Sequence, residues 1–430
     1  MREVTIGQKQ NRRRVRGIEI DASSPRGIST PEPLTRRELI VSTLTLLAAS
    51  TLAACGDGRS NPRGDSASVV MYISADDALA RVVLAACTRD TGIEIVPVFD
   101  TEATKSTGLE NRIRAERDRP RADLFWSSEA FAVLRLAADG LLAPLSEELW
   151  NGWPAQHRDA QRRWLAFSAR ARVLVWNTAH DTPAIDDLAA LCMNATDATN
   201  ATNATNATKP SSQHTASTDD AKRHSIAIAD PRFGTTRGHL AALEDAWNAA
   251  RQRGINAPTL KQWLHAMRAR GVRVLLGGNS AVVEAVALGE CAYGLTDSDD
   301  AFAAQARGLP IAMSLARALP RGDAGGGAMV IPNTIARVAR VVRADGDVGN
   351  DNNARLADRV AQWMVSARCE EIIARSPSRN LPLGPNVARE AAVDAAWAEP
   401  DPLQFALAAA SARADEVAVF AHQILTRSDS

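Results

Sequence analysis

The sequence predicts an α/β protein whose sheets are mostly parallel. Short β-type runs alternate with stretches of helical spacing and short turns, which is the pattern of βαβ units. The chain has 430 residues, 45% of them apolar and 23% charged, which is enough for two or three folded domains. Its 50 Lys and Arg balance its 50 Asp and Glu. This balance argues against a nucleic-acid-binding protein, which needs a basic face.

Residues 1–54 are predicted to be an export signal with an N-terminal extension. The pair Arg36-Arg37 precedes an uncharged apolar run, 39–54, which is short for a permanent transmembrane helix. The run ends in Leu52-Ala53-Ala54-Cys55, which resembles a bacterial lipobox. We therefore expect lipid attachment at Cys55 and an exported lipoprotein, periplasmic or on the cell surface and anchored to a membrane. Cleavage by ordinary signal peptidase, without lipid, is the alternative.

The elements follow in order after a polar linker at 55–66. Strands are predicted at 68–73, 93–98, 122–126 and 171–176, with helices at 77–88, 107–117 and 129–138. The stretch 194–220 repeats Asn-Ala-Thr and stays polar, so it predicts a low-complexity, disordered insertion. Further strands are predicted at 225–229, 272–276, 292–296 and 328–331, and helices from 236, at 260–270, at 280–288 and through most of 351–430.

The cysteines that follow the export signal are widely spaced and match no zinc-binding pattern. Export would permit disulfides, but we expect buried free thiols at Cys87, Cys192, Cys291 and Cys369.

Short motifs in a consistent order span residues 68–426. They lie at 100–109, 122–129, 140–145, 168–177, 233–236, 278–280, 294–300 and 365–370. Together they resemble the type II periplasmic solute-binding proteins of ABC importers, and most closely the ferric-iron-binding branch.

The resemblance implies a two-lobed α/β fold, each lobe a mostly parallel sheet flanked by helices, with a ligand cleft between the lobes. Lobe 1 would hold 67–168 plus 328–350 and lobe 2 would hold 169–327. The strands that cross between the lobes would lie near 168–174 and 326–331, with the helices of 351–430 packed behind. The implied function is capture of a small ligand by hinge closure and delivery to an ABC permease with its ATPase. We expect a monomer with no nucleic-acid partner and no cofactor, a bound metal ion being cargo.

In such sheets ligands lie beyond the carboxyl ends of strands, at helix N-termini with unpaired N–H groups. Hydroxyl-rich loops at these places predict a binding role, although simple helix capping is the alternative. The candidate ligand-binding residues are Ser74, Asp76, Thr104, Lys105, Ser106, Thr107, Ser127, Ser128, Gly234, Thr235, Thr236, Asn279, Ser280, Thr296, Asp297 and Asp299.

Carboxylates are concentrated at Asp297, Asp299 and Asp300, and Asp76 is expected to join them. Hard metals such as iron(III), calcium or magnesium favour oxygen ligands of this kind, so these four residues are the candidate metal ligands. A solvated turn and helix cap is the alternative.

The resemblance implies a His, a Glu and two adjacent tyrosines as iron ligands, at positions that read Asp76, Ser128 and Asp299-Asp300 here. None is kept. The chain has only Tyr72 and Tyr293, both in predicted strands, so a tyrosinate iron site is excluded.

Two ligand interpretations therefore stay open. One is a metal held by carboxylates with an oxyanion on the hydroxyl loops. The other is a small zwitterion or oxyanion, such as an aminophosphonate, with its cationic end at Asp297 and Asp299 and its anionic end on 104–107 and Thr235-Thr236. A sensor domain without transport is a further alternative. We expect no enzyme, because the seven His have no ligand spacing and no Gly-x-Ser-x-Gly motif is present.

Overall fold

A computed structural model describes residues 68–100, 107–180, 182, 184–185, 187–191, 225–232, 234–323, 325–340, 351–385, 387 and 402–427. The predicted export signal, the lipobox with Cys55, the linker and the 194–220 insertion lie outside the described residues. So do Cys192 and the loop residues Thr104, Lys105 and Ser106.

The first sheet is built on three parallel strands. Strand β1 (Ser68–Ile73) lies between β2 (Glu94–Phe99) and β3 (Leu124–Ser127), and its apolar side chains pack on both faces. The connecting helices cover the sheet, as short βαβ crossovers require. They are α1 (Asp77–Thr91), α2 (Thr107–Ala115) and α3 (Ala130–Ala138), followed by the short strand β4 (Leu142–Ala143) and helix α4 (Glu147–Trp150).

The second sheet repeats this arrangement. Strand β6 (Ile226–Ala229) lies parallel to β7 (Arg273–Leu275) and to β8 (Tyr293–Asp297). Its helices are α5 (Gly234–Gln252), α6 (Leu260–Ala269), α7 (Gly278–Ala287) and α8 (Ser298–Ala306), and a further strand, β9 (Ile311–Leu315), follows them.

Two long strands join the sheets. Strand β5 (Trp164–Asn177) pairs with β10 (Val330–Val338) over its first half and with β8 and β9 over its second half, all antiparallel. Strand β10 also pairs with β3. The resulting order is β2-β1-β3-β10-β5-β8-β6-β7. We call the part built on β1–β4 and β10 the first lobe and the part built on β6–β9 the second lobe; the predicted first crossing, 168–174, falls inside β5.

The C-terminal helices divide between the lobes. Helix α9 (Asp351–Met364) packs on α1 and β1, and α10 (Ala367–Ala374) packs on α1, so both belong with the first lobe. Helix α11 (Leu407–Thr426) packs mainly on α5 and α6 and also contacts α3. The domain boundaries given above remain predictions.

Several elements differ from the sequence prediction in extent. Strand β5 begins at Trp164, and not at 171 as predicted. The prediction missed its first half because Ser168 and Arg170 interrupt an otherwise apolar run. Strand β10 runs to Val338, well beyond 331, and β9 was not predicted. The expected free, buried thiols are confirmed for Cys87, Cys291 and Cys369, and burial raises the pKa of Cys87 to about 12. Every helix in the described part of the chain is too short or too polar to cross a membrane.

Candidate functional site

A cavity lies beyond the carboxyl ends of strands from both lobes. Four helices begin at its walls: α1 from the first lobe, and α5, α7 and α8 from the second. Their N-termini carry unpaired N–H groups and a partial positive charge. The predicted site residues that line this cavity are Ser74, Asp76, Ser128, Gly234, Thr235, Thr236, Asn279, Ser280, Asp297, Asp299 and Asp300.

The first-lobe wall is made of hydroxyls and a helix cap. The hydroxyl of Ser74 accepts a hydrogen bond from the Ser128 N–H at 2.9 Å, which ties the loop after β1 to the loop after β3. Asp76 is exposed and caps α1, since its Oδ1 accepts from the N–H groups of Ala78 and Leu79 at 3.0 and 3.2 Å. Asp76 therefore caps the helix and lines the cavity, but it is outside the carboxylate group close enough to share a metal ion, and its predicted binding role stays a prediction.

The second-lobe wall is centred on Asp297, which is 1% exposed. Its Oδ1 accepts from Arg172 Nη1 at 2.6 Å, and its Oδ2 accepts from Arg170 Nε at 3.1 Å. Thr235 Oγ1 and Asn279 Nδ2 also donate to Oδ2, at 2.8 and 2.9 Å. Burial would raise the pKa of Asp297, but the two arginines lower it by more, so this carboxylate stays ionised.

Arg170 connects the two walls. Its Nη1 donates to the Ser128 carbonyl at 2.6 Å, while its Nε lies 3.4 Å from Asp299 Oδ2. Among the described residues that line the cavity, it is the only Lys, Arg or His. One guanidinium therefore holds groups of both lobes and places a positive charge inside the cavity.

The carboxylates of Asp299 and Asp300 lie in the first turn of α8, at the cavity surface. Asp300 Oδ1 accepts from the Ser280 hydroxyl at 2.7 Å, and the Asp300 N–H donates to Asp299 Oδ1 at 3.1 Å. One oxygen from each of Asp297, Asp299 and Asp300 lies within 4.8 Å of the others, a spacing that could hold a metal ion. Asp297 is buried and already accepts four hydrogen bonds, one at Oδ1 and three at Oδ2, whereas Asp299 and Asp300 are partly exposed and better suited to take a new ligand.

Of the predicted site residues that the structure describes, three do not line the cavity. Successive strand residues point to opposite faces, and Ser127 and Thr296 each precede the residue that faces the cavity. The Ser127 hydroxyl donates to the Glu129 carbonyl at 2.7 Å, and the Thr296 hydroxyl donates to the Asn279 carbonyl at 3.2 Å. Thr107, at the start of α2, is also absent from the lining.

Of the polar residues that form the site in the described part of the chain, five escaped the sequence prediction: Arg170, Arg172, Asp230, Asn333 and Asn380. Arg170 and Arg172 had a signal that could have found them: two arginines at alternate positions lie on one face of a strand, and buried arginines need partners. Asn333 and Asn380 also line the cavity, but no sequence signal marked them. Strand β10 and the segment after α10 bring them in from distant parts of the sequence.

Neither tyrosine lines the cavity. The hydroxyl of Tyr72 donates to Glu116 Oε2 at 2.7 Å, and burial together with that carboxylate raises its pKa to about 12. Tyr293 is buried in β8, and burial raises its pKa as well.

Part of the chain is similar in sequence to known iron-binding proteins. No model of a known protein family matches the chain. The major ferric iron-binding protein of Neisseria gonorrhoeae is 32% identical over 117 residues, which are 26% of this chain and 33% of that protein. The chain thus matches about a third of the length of this curated relative.

Solved structures match over most of the chain. Iron-bound HitA from Pseudomonas aeruginosa has a TM-score of 0.61 at 18% identity, covering 82% of this chain and 99% of HitA. The substrate-binding protein of an ABC transporter from Agrobacterium tumefaciens has a TM-score of 0.61 at 16% identity, covering 85% and 96%. The chain has the two-lobed, type II periplasmic-binding-protein fold. The resemblance seen in the sequence is confirmed at this level, with the ferric-binding branch among its relatives.

Proposed function

We propose that this protein is the substrate-binding component of an ABC importer and that it captures a hard metal ion, iron(III) foremost, by closure of its lobes. The observation that carries the proposal is the pair Asp299 and Asp300, which line a cavity formed by residues of both lobes. The similar proteins support it, because they are described as iron-binding and as a transporter's substrate-binding protein.

The charges around the cavity favour a cation. Asp297 is already paired with Arg170 and Arg172, so these three groups together leave one positive charge. Asp230 also lines the cavity but is paired with Arg232, so Asp76, Asp299 and Asp300 bring three further negative charges. A bare anion would meet a net negative wall, whereas a cation would be attracted to it.

An anionic group next to the cation would also be accommodated. Arg170 and the N-termini of α5 and α7 attract negative charge at the same cavity. The bound species would then be a metal ion together with a small oxyanion. A zwitterion such as an aminophosphonate places its two charges in the same way, and it is the second candidate.

Further parts of the proposal concern the whole protein. Lipid on Cys55 would hold the exported protein at a membrane, near a permease and ATPase. The domain limits predicted from the sequence, and a monomeric state, belong to this proposal. Because the similar proteins are binding proteins, we propose no enzymatic activity. A purified permease distinguishes transport from signalling. Binding of the protein and uptake of its cargo would support transport, and the absence of both would support a signalling role.

Thermal unfolding of residues 56–430 tests the ligand. Residues 65–430 form one compact unit with its own core, so this fragment contains the whole fold. A ligand that binds only the folded state adds RT ln(1+[L]/Kd) to its stability. We expect ferric citrate to raise the unfolding temperature of the wild type by several degrees, and Asp299→Asn with Asp300→Asn to abolish the increase.

The control removes the same number of charges elsewhere. Asp118→Asn with Asp139→Asn changes exposed carboxylates that do not line the cavity, 89% and 44% exposed at the side chain. The control should keep the increase. If divalent and ferric metals have no effect while an aminophosphonate stabilises the protein, the zwitterion and not a metal is the ligand. An increase that survives Asp299→Asn with Asp300→Asn contradicts the carboxylate site.

A further inference from the structure

Ser168 has an unusual backbone conformation in the middle of β5. Its φ is 40°, in the left-handed region, although the residue is fully buried and is not glycine. The strand register explains its position: Phe167 pairs with Asn333 and Ala169 pairs with Pro332, so Ser168 is bulged out of the pairing. Such a conformation persists only where the surroundings enforce it.

Two side chains take the place of the missing strand partner. The Ser168 N–H donates to Glu370 Oε1 at 2.8 Å, and the Ser168 carbonyl accepts from Asn333 Nδ2 at 2.7 Å. Both backbone groups of this buried residue are thus satisfied by side chains that come from α10 and β10.

Each of the two side chains is itself held. Glu370 is 0% exposed and also accepts from the N–H groups of Leu383 and Gly384, both at 2.8 Å. The approach needs a glycine, because a Cβ on Gly384 would lie 2.5 Å from Glu370 Oε2. Asn333 Oδ1 accepts from Trp126 Nε1 at 3.1 Å, which fixes the amide against β3. We call Glu370 and Asn333, with Ser168 between them, the clasp.

The clasp lies where the chain passes from one lobe to the other. Strand β5 pairs with β10 on both sides of Ser168, and β10 shifts its register at the same level, between Pro332 and Asn333. From Arg172 onward β5 pairs with β8 of the second lobe. Asn333 itself lines the cavity, and Arg170, two residues beyond Ser168, lines it as well. A change of backbone angle at Ser168, with a matching change at the register shift of β10, would therefore move Arg170 and the second lobe.

We propose that the clasp fixes Ser168 as the pivot of lobe closure, with Glu370 and Asn333 as positioning residues that set the angle between the lobes and the place of Arg170 in the cavity. This inference rests on the closure that the proposed function requires, but it concerns the ligand-free protein as well. Releasing Ser168 from its conformation should widen the range of angles between the lobes without unfolding either lobe.

Distances between spin labels on the two lobes test the pivot. Val82 and Leu288 are 58% and 75% exposed and lie on α1 and just after α7, so V82C with L288C in residues 56–430 gives one label per lobe. Cys192→Ser is included throughout, and the other thiols of this fragment are buried. We expect one narrow distance distribution for this protein without ligand, and at least a doubling of its width on adding Glu370→Gln, which weakens the side-chain partner of the Ser168 N–H.

The matched control is Asp123→Asn. Asp123 is also a buried carboxylate that accepts from a strand N–H, that of Val70, but both residues lie within the first lobe. This control should leave the distribution unchanged. Equal widths with and without Glu370→Gln, or equal broadening by Asp123→Asn, would overturn the proposal.

Hydrogen exchange gives a second, independent readout. We expect the amides of Ser168, Leu383 and Gly384 to exchange slowly in the wild type and at least tenfold faster in Glu370→Gln, with the β1 amides unaffected. A uniform acceleration of all amides would mean that Glu370 supports only global stability, which overturns its positioning role. Neither measurement uses a ligand, so a failure of metal binding leaves this test intact.

Discussion

The two walls of the cavity differ in the chemistry of their side chains. On the first-lobe wall, Ser74 and Ser128 join two loops through a hydroxyl and a backbone N–H, and exposed Asp76 caps a helix. On the second-lobe wall, Asp297 is buried with Arg170 and Arg172 in a network that reaches Thr235 and Asn279.

The difference follows from the cost of burying charge. An ionised side chain removed from water needs an opposite charge and hydrogen bonds, or its burial opposes folding. The second-lobe wall meets this requirement within the fold, so its groups serve stability and binding together. The described residues of the first-lobe wall include no buried charge, so these side chains can change at smaller cost.

The largest expected effect is on the second-lobe wall. Asp297→Ala leaves Arg170 and Arg172 buried without their main counter-charge, and we expect it to lower the free energy of unfolding by about 3–5 kcal/mol. Urea denaturation measures this. Asp77→Ala is the control, because its ion pair with Arg81 has side chains 56% and 63% exposed and should contribute less than about 1 kcal/mol. Equal costs for the two changes would contradict the difference between the walls.

The second effect is the response to acid. The arginines hold the pKa of Asp297 below its ordinary 3.8, so the unfolded chain takes up this proton at a higher pH than the folded protein. Stability is therefore fully present above about pH 4 and falls below it, by up to about 1.4 kcal/mol per pH unit for one such group. Urea midpoints between pH 6 and 3 should show a flatter decline in Asp297→Asn than in the wild type. Parallel curves would mean that Asp297 does not contribute.

The smallest of the three effects is expected at Ser74 on the first-lobe wall, with exposed Ser280 of the second-lobe wall as its control. Ser74→Ala removes the acceptor of the Ser128 N–H and should cost about 1 kcal/mol, the ordinary value of one hydrogen bond. Ser280→Ala, at an exposed position, should cost less than about 0.5 kcal/mol. Urea denaturation of the wild type, Ser74→Ala and Ser280→Ala under one condition gives the free energies of unfolding to compare. A cost for Ser74→Ala near that of Asp297→Ala would show that the first-lobe wall is equally integral to the fold.

Much of the fold follows from local patterns in the sequence. Apolar runs such as 68–73, followed by a capping residue such as Asp76, mark strand and helix directly, and the structure places β1 and α1 there. The site was predictable where a loop follows a parallel strand, as at Ser128 and Thr235. It was not predictable at Asn333 or Asn380, because their places depend on long-range pairing.

The direction of individual side chains was harder to predict than their neighbourhood. Thr296 was expected in the site with Asp297, but adjacent strand positions face opposite ways and only Asp297 reaches the cavity. In the same way, Arg170 belongs to a strand that the sequence shows as buried. Only its pairing with a carboxylate more than a hundred residues away explains why a charge is tolerated there.

Strand β5 also constrains how this protein can evolve. It pairs with β10, β8 and β9 and carries both arginines of the network, so a substitution there is felt by both lobes at once. The loops that hold Ser74 and Ser128 lie in the first lobe and do not carry these strand pairings or the two arginines. New ligand preferences should therefore arise first by mutation of the first-lobe loops, while β5 changes slowly.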